Sequence, residues 1–227
     1  MRRVLAGLQL VLFDLDHTLL SGDTDVLWCE FLMAQGQLDR SIFGPRNEEM
    51  ERGYQAGTVS KEEFAGFFVS TLAGRSLEQW SPWRQRFLDE VILPKIPQAA
   101  RDQVRMHQGA GDTVVITTAT NRVLTELTAE HLGIRHVIAT ECEIGPEGVY
   151  TGRILGTINM REGKVVRLQT WLWEQGWSLD QTHSLAYSDS INDLPLLEAA
   201  HEAIAVDPDP RLQAIACERG WKVLHWR

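Results

Sequence analysis

The chain has 227 residues, 44% of them hydrophobic and 23% charged, with a formal net charge of 22 − 31 = −9. That length exceeds one typical domain and falls short of two, and the composition is the usual one for a soluble globular protein, which excludes disorder. The negative balance makes nucleic acid a poor partner, yet leaves room for a small anion held beside a bound cation.

In chain order, Arg2 and Arg3 followed by Val4-Leu5-Ala6 outline a signal peptide. Gln9 interrupts the run, Asp14 and Asp16 follow at once and no small-x-small cleavage site appears, so a buried strand at Leu10–Phe13 is expected instead. The stretch from about Gly22 to Pro97 shows helical spacing in three groups. They are Val26, Leu27, Phe31 and Leu32; then Phe64, Phe67, Phe68 and Leu72 behind a capping box at Ser60-Lys61-Glu62-Glu63; then Trp80 to Ile92, ending at Pro94. Further strands are expected at Val114–Thr117, Val137–Thr140, Ser184–Tyr187, Ala203–Val206 and Val223–His225. Helices are expected at Asn121–Leu132, Lys164–Gln175, Asp193–Ala199 and Pro210–Arg219, and a small hairpin after the Gly145-Pro146-Glu147-Gly148 turn. Strand alternating with helix predicts an α/β fold, a Rossmann-like parallel sheet with helices on both faces, interrupted by a helical insert. The expected division is a core of residues 1–21 and 98–227 and an insert of 22–97.

Four segments carry candidate chemistry. Asp14 and Asp16 directly follow the first strand, where open α/β folds line their ligand crevice, and their mutual repulsion calls for a cation with oxygen ligands. An acidic turn after a strand is the plain alternative. Thr117-Thr118 at a strand end can donate to an anion at the following helix, or serve as an ordinary cap region. Lys164 is one of only four lysines and stands at a helix start, where a cation opposes the helix dipole unless an anion is near; a solvated surface lysine is the alternative. Asp189, Asn192 and Asp193 follow another strand, with Asp193 equally suited to a helix N-cap.

Each segment falls at or just beyond the carboxyl end of an expected strand, as one shared site requires. The order Asp14-x-Asp16-x-Thr18, hydroxyl, Lys164, Ser188-Asp189-x-x-Asn192-Asp193 resembles the haloacid dehalogenase superfamily in its phosphoserine phosphatase-like branch. The stretch Tyr187–Glu198 is similar to bacterial members described as histidinol-phosphatase-like. The resemblance implies a magnesium-dependent (Mg2+) phosphatase of a small phosphomonoester, with the insert as its cap. It implies Asp14 as nucleophile, Asp16 as acid and base, and Thr118, Lys164 and Asn192 on the phosphoryl group. Asp14, the Asp16 carbonyl and Asp189 would hold the metal, and Asp193 would orient Lys164 or a metal-bound water. Asp23 stands where phosphoserine phosphatases carry a glutamate for the substrate ammonium; a helix N-cap is the other reading.

Cys29, Cys142 and Cys217 form no disulfide or zinc pattern and suit a reducing cytoplasm. No segment approaches the ~18 apolar residues of a membrane span. The tryptophan pairs Trp80/Trp83 and Trp173/Trp177 are expected in the core, with some cap tryptophans available to a pocket. A small phosphorylated metabolite is the expected partner. The rivals are a phosphate-binding or regulatory protein without turnover, and a phosphatase of lipid phosphates.

Overall fold

The computed structural model describes residues 8–227, so the signal-peptide-like run at Arg2–Ala6 lies outside the described residues. The first strand, β1 (Leu8–Phe13), is followed by four helices: α1 (Thr24–Ala34), α2 (Arg40–Ala56), α3 (Lys61–Ser70) and α4 (Leu77–Phe87). A π turn at Leu88–Ile92 and a 3-10 turn at Leu93–Lys95 lead into α5 (Gln98–Ala110). Then come β2 (Thr113–Asn121), α6 (Arg122–His131), β3 (His136–Ile144), β4 (Tyr150–Leu155) and α7 (Glu162–Glu174). The chain ends with β5 (Thr182–Ser188), α8 (Leu194–Ala199), β6 (Glu202–Val206), α9 (Pro210–Arg219) and β7 (Lys222–Leu224).

The strands form one sheet in the order β4-β3-β2-β1-β5-β6-β7. Every pairing is parallel except β3 with β4, the hairpin expected after Gly148. The sheet is buried on both sides, and β1 shows why its sequence reads as unbroken apolar. Leu10 and Leu12 pack with Leu168 and Leu172 of α7 and Leu212 of α9, while Val11 and Phe13 pack with Val104 of α5 and Leu124 of α6. The strand order reverses at β1, which places the crevice beyond the carboxyl ends of β1, β2 and β5.

The helical insert divides its apolar surface. Trp28 meets Trp80 and Phe87 edge-on at ring-centroid distances of 5.5 and 5.1 Å and belongs to the main core. Cys29, Met33, Met50, Phe64 and Phe68 form a second cluster between α1, α2 and α3.

Three expectations about local structure need correction. Helix α2 was not anticipated, because among its described residues only Asn47 and Met50 are buried and Gly44, Pro45 and Gly53 interrupt any helical pattern. The capping box at Ser60 is half formed: its hydroxyl accepts from Glu63 N at 3.1 Å, but the Glu63 carboxylate pairs with Arg46. The reciprocal box occurs at Ser76 and Gln79. Trp173 is 79% exposed on the outer face of α7; Trp177 packs instead on Trp171. Spacing places residues on one helical face without saying which way that face looks. All three cysteines are free thiols, Cys29 and Cys142 buried and Cys217 exposed. No helix among the described residues is long and apolar enough to cross a membrane.

Candidate active site

Asp14 is the first residue past β1, and its N–H donates to Tyr187 O of β5 at 2.9 Å. The chain then coils tightly. Thr18 N and Leu20 N both donate to Leu15 O, and His17 takes a left-handed conformation with φ 58°. Thr118 sits near the end of β2, Asp189 just past β5, Lys164 in the first turn of α7, and Asn192 and Asp193 in the 3-10 turn Ile191–Asp193 ahead of α8. Together with Asp16, and with Asp23 at the N-cap of α1, they line one cavity of about 380 Å³. The eight positions singled out in the sequence therefore meet in space.

Lys164 is 2% exposed, and its ammonium donates to Asp14 Oδ1 and to Asp193 Oδ2, each at 2.7 Å. Burial works to lower its pKa, but those two carboxylates outweigh it and hold the group above the ordinary lysine range. Asp193 also accepts from Ser188 Oγ at 2.7 Å and makes no side-chain capping bond to α8. Its carboxylate is thus committed to Lys164 and Ser188 in place of the N-cap role. Burial pushes the Asp14 carboxyl up to about 7; Lys164 opposes this, while Asp193 and Asp16 add to it.

The hydroxyl of Thr18 stands 3.0 Å from both Asp14 Oδ2 and Asp189 Oδ1. One hydroxyl has one hydrogen and cannot serve both carboxylates at once. Burial, then Asp14 and Asp193, also drive the Asp189 carboxyl well above the usual range. Two carboxylates, one buried and one half-buried, converging with too few donors form a locus short of positive charge, and their hard oxygens suit magnesium. No three His, Cys, Asp or Glu side chains converge as a preformed cage among the described residues.

The Asp16 carboxylate points elsewhere. Its Oδ1 accepts from Thr24 N at 2.7 Å and from the Thr24 hydroxyl, and its Oδ2 from Thr118 Oγ1 at 3.0 Å and Thr120 Oγ1 at 2.7 Å. Thr117, by contrast, turns inward to accept from Asn159 Nδ2 at 3.1 Å. Asp23 accepts from Val26 N at 3.0 Å as N-cap of α1 and also borders the cavity. Burial, then Asp16, raises its carboxyl to about 8.

The family model for haloacid dehalogenase-like hydrolases matches residues 11–198. The chain belongs to that family. Among curated proteins this hydrolase is 38% identical to a histidinol-phosphatase of Neisseria meningitidis serogroup C (strain 8013), over 96% of this chain and 99% of the relative. It is 31% identical to a phosphoserine phosphatase of Mycobacterium tuberculosis (strain ATCC 25618 / H37Rv), over 95% of this chain and 70% of that one. Among solved structures, a protein of unknown function from Bordetella pertussis Tohama I superposes with a TM-score of 0.91 at 43% identity, covering 96% of this chain and 98% of that one.

Sequence reasoning missed several residues that shape the site of this hydrolase. Thr120 lies two residues beyond Thr118 near the end of β2, but nothing in the sequence marked its hydroxyl for Asp16. Glu51, Tyr54 and Phe64 from α2 and α3 carried no signal, because only the tertiary packing brings them to the cavity, and Thr24, buried beside the N-cap, meets Asp16 only in the fold. None of the tryptophans lines that cavity; its aromatic wall is Tyr54 against Phe64, with ring centroids 4.6 Å apart.

Proposed function

We propose that the protein is a magnesium-dependent phosphatase of small phosphomonoesters that works through a phosphorylated Asp14. The observation that carries this reading is the Lys164 ammonium bridging Asp14 and Asp193 at 2.7 Å inside a cavity bordered by Asp16, Asp189, Thr118 and Asn192.

Asp14, held at one oxygen by Lys164 and at the other by Thr18, attacks phosphorus in line and becomes the aspartyl phosphate. Asp16 gives its proton to the leaving oxygen and then takes one from the water that hydrolyses the intermediate. Lys164, Thr118 and Asn192 stabilise charge on the transferring phosphoryl group, with Asp193 keeping Lys164 aimed. Asp14, Asp189 and the Asp16 carbonyl would hold the magnesium. When bound, that ion neutralises the carboxylates and withdraws charge from the phosphoryl oxygens.

Residues 22–97 would act as the cap that selects the leaving group, with Asp23 facing an amino group on the substrate. Phosphoserine and histidinol phosphate are the natural first substrates, since relatives carry those activities in their names. The test is hydrolysis of p-nitrophenyl phosphate with magnesium and with EDTA, by the wild type and by Asp14→Asn. Turnover that requires magnesium and disappears in the variant is expected; equal turnover in the variant refutes the reading.

A further inference from the structure

Strand β2 stops pairing with β3 between Thr117 and Asn121, so the peptides of residues 118–120 leave the regular ladder. Two buried side chains hold that bulge. Asn159 Nδ2 donates to Thr118 O at 2.9 Å and Ile138 O at 2.8 Å, and Thr140 Oγ1 donates to Ala119 O at 2.7 Å. The consequence is that Thr118 and Thr120 aim both hydroxyls at the same oxygen, Asp16 Oδ2.

With the two bonds from Thr24 on Oδ1, the Asp16 carboxylate has its acceptor sites filled. In the proposed reaction, however, Thr118 must also donate to the phosphoryl group, and a hydroxyl has a single hydrogen. Thr120 is then the donor that stays on Oδ2. Its hydroxyl donates there at 2.7 Å, against 3.0 Å for Thr118.

We propose that Thr120 is a positioning residue that fixes the Asp16 carboxylate for proton transfer to the leaving group. This rests on the phosphatase reading above. As the Asp14–phosphorus bond forms and the ester P–O bond breaks, the proton on Asp16 passes to the departing oxygen. Negative charge grows on Asp16 during that step, and the Thr120 hydrogen bond strengthens with it, so the contact favours the transition state over the ground state.

The experiment compares kcat/KM, which covers the steps through leaving-group departure, for two probes. One is p-nitrophenyl phosphate, whose leaving group departs without a proton. The other is an alkyl phosphomonoester, phosphoserine or histidinol phosphate, whichever the wild type turns over faster, whose alkoxide needs one. Thr120→Val keeps the shape and removes the hydroxyl. The expected loss on the alkyl ester is about 10–100-fold, within the usual range of acid–base contributions and at least about tenfold larger than the loss on the nitrophenyl ester. Thr120→Ser, which restores the hydroxyl, recovers most of it. Equal losses on the two probes, of any size, overturn the proposal, as does a serine variant no better than valine. Undiminished p-nitrophenyl phosphate turnover by Asp14→Asn would instead overturn the underlying reaction.

Discussion

Replacing Lys164 by methionine keeps the chain length and removes the ammonium. Asp14 and Asp193, whose side chains are 9% and 5% exposed, then lose the donor that sits 2.7 Å from each. Breaking a buried ion pair by deleting one partner costs about 3–5 kcal/mol, and because one lysine serves both carboxylates the two losses do not add. Against a typical total stability of about 5–15 kcal/mol, and at roughly 2–4 °C per kcal/mol for a chain of this size, the melting temperature should fall by roughly 6–20 °C.

The penalty should also depend on pH. Asp14 has its folded carboxyl raised to about 7 from an ordinary 3.8, so between those values the folded state keeps a proton the unfolded state has lost. Stability therefore falls as pH rises through that window and levels off above it. Lys164 is the group that lowers the Asp14 value, so its removal extends the window upward, and the variant goes on losing stability where the wild type has levelled off. Urea unfolding in EDTA, at about pH 5.5 and about pH 8, reads both effects. A loss below about 1 kcal/mol at about pH 8, or one equal at the two pH values, would refute Lys164 as the counter-charge of this site.

Magnesium should raise the melting temperature at about pH 8, where Asp14 is ionised, and do less near pH 5, where Asp14, raised to about 7, holds its proton; about 2.7 kcal/mol is expected at a hundredfold excess over Kd. Asp189→Asn should remove most of that shift, and an undiminished shift would place the ion elsewhere. A Cβ on Gly163 would fall onto the Ile158 carbonyl, so Gly163→Ala must move the first turn of α7 with Lys164, lowering kcat about tenfold or more in steady-state assays. Phe68 is fully buried in the cluster joining α1, α2 and α3, and Phe68→Ala should cost about 3–5 kcal/mol in urea titrations. Asp23→Asn should raise KM for an amino-bearing ester by about tenfold, and by less for p-nitrophenyl phosphate, as expected for one charge-assisted contact.

The strands buried on both faces announce themselves as apolar runs, and Leu10–Phe13 is legible because its two faces both need hydrophobic side chains. Asp14, Asp16, Asp189 and Asp193 are legible for a related reason: charged residues placed just beyond the ends of such strands have no packing role to explain them, and Lys164 stands out as a cation at a helix start. Their positions beyond expected strands, together with an order along the chain that matches a family pattern, assigned them to one crevice. Only the tertiary structure decided where their atoms point. Asp16 turns to a ring of threonines, Asp193 serves Lys164 instead of capping α8, and Trp173 faces solvent. Helix α2, with Glu51 and Tyr54 on the cavity wall, left no trace in the pattern, because a helix packed along a narrow strip needs few apolar residues. Hydrophobic burial writes a periodic signal along the chain. A hydrogen-bond partner a hundred residues away, as Thr120 is from Asp16, writes none, since it is chosen by how the packed elements meet.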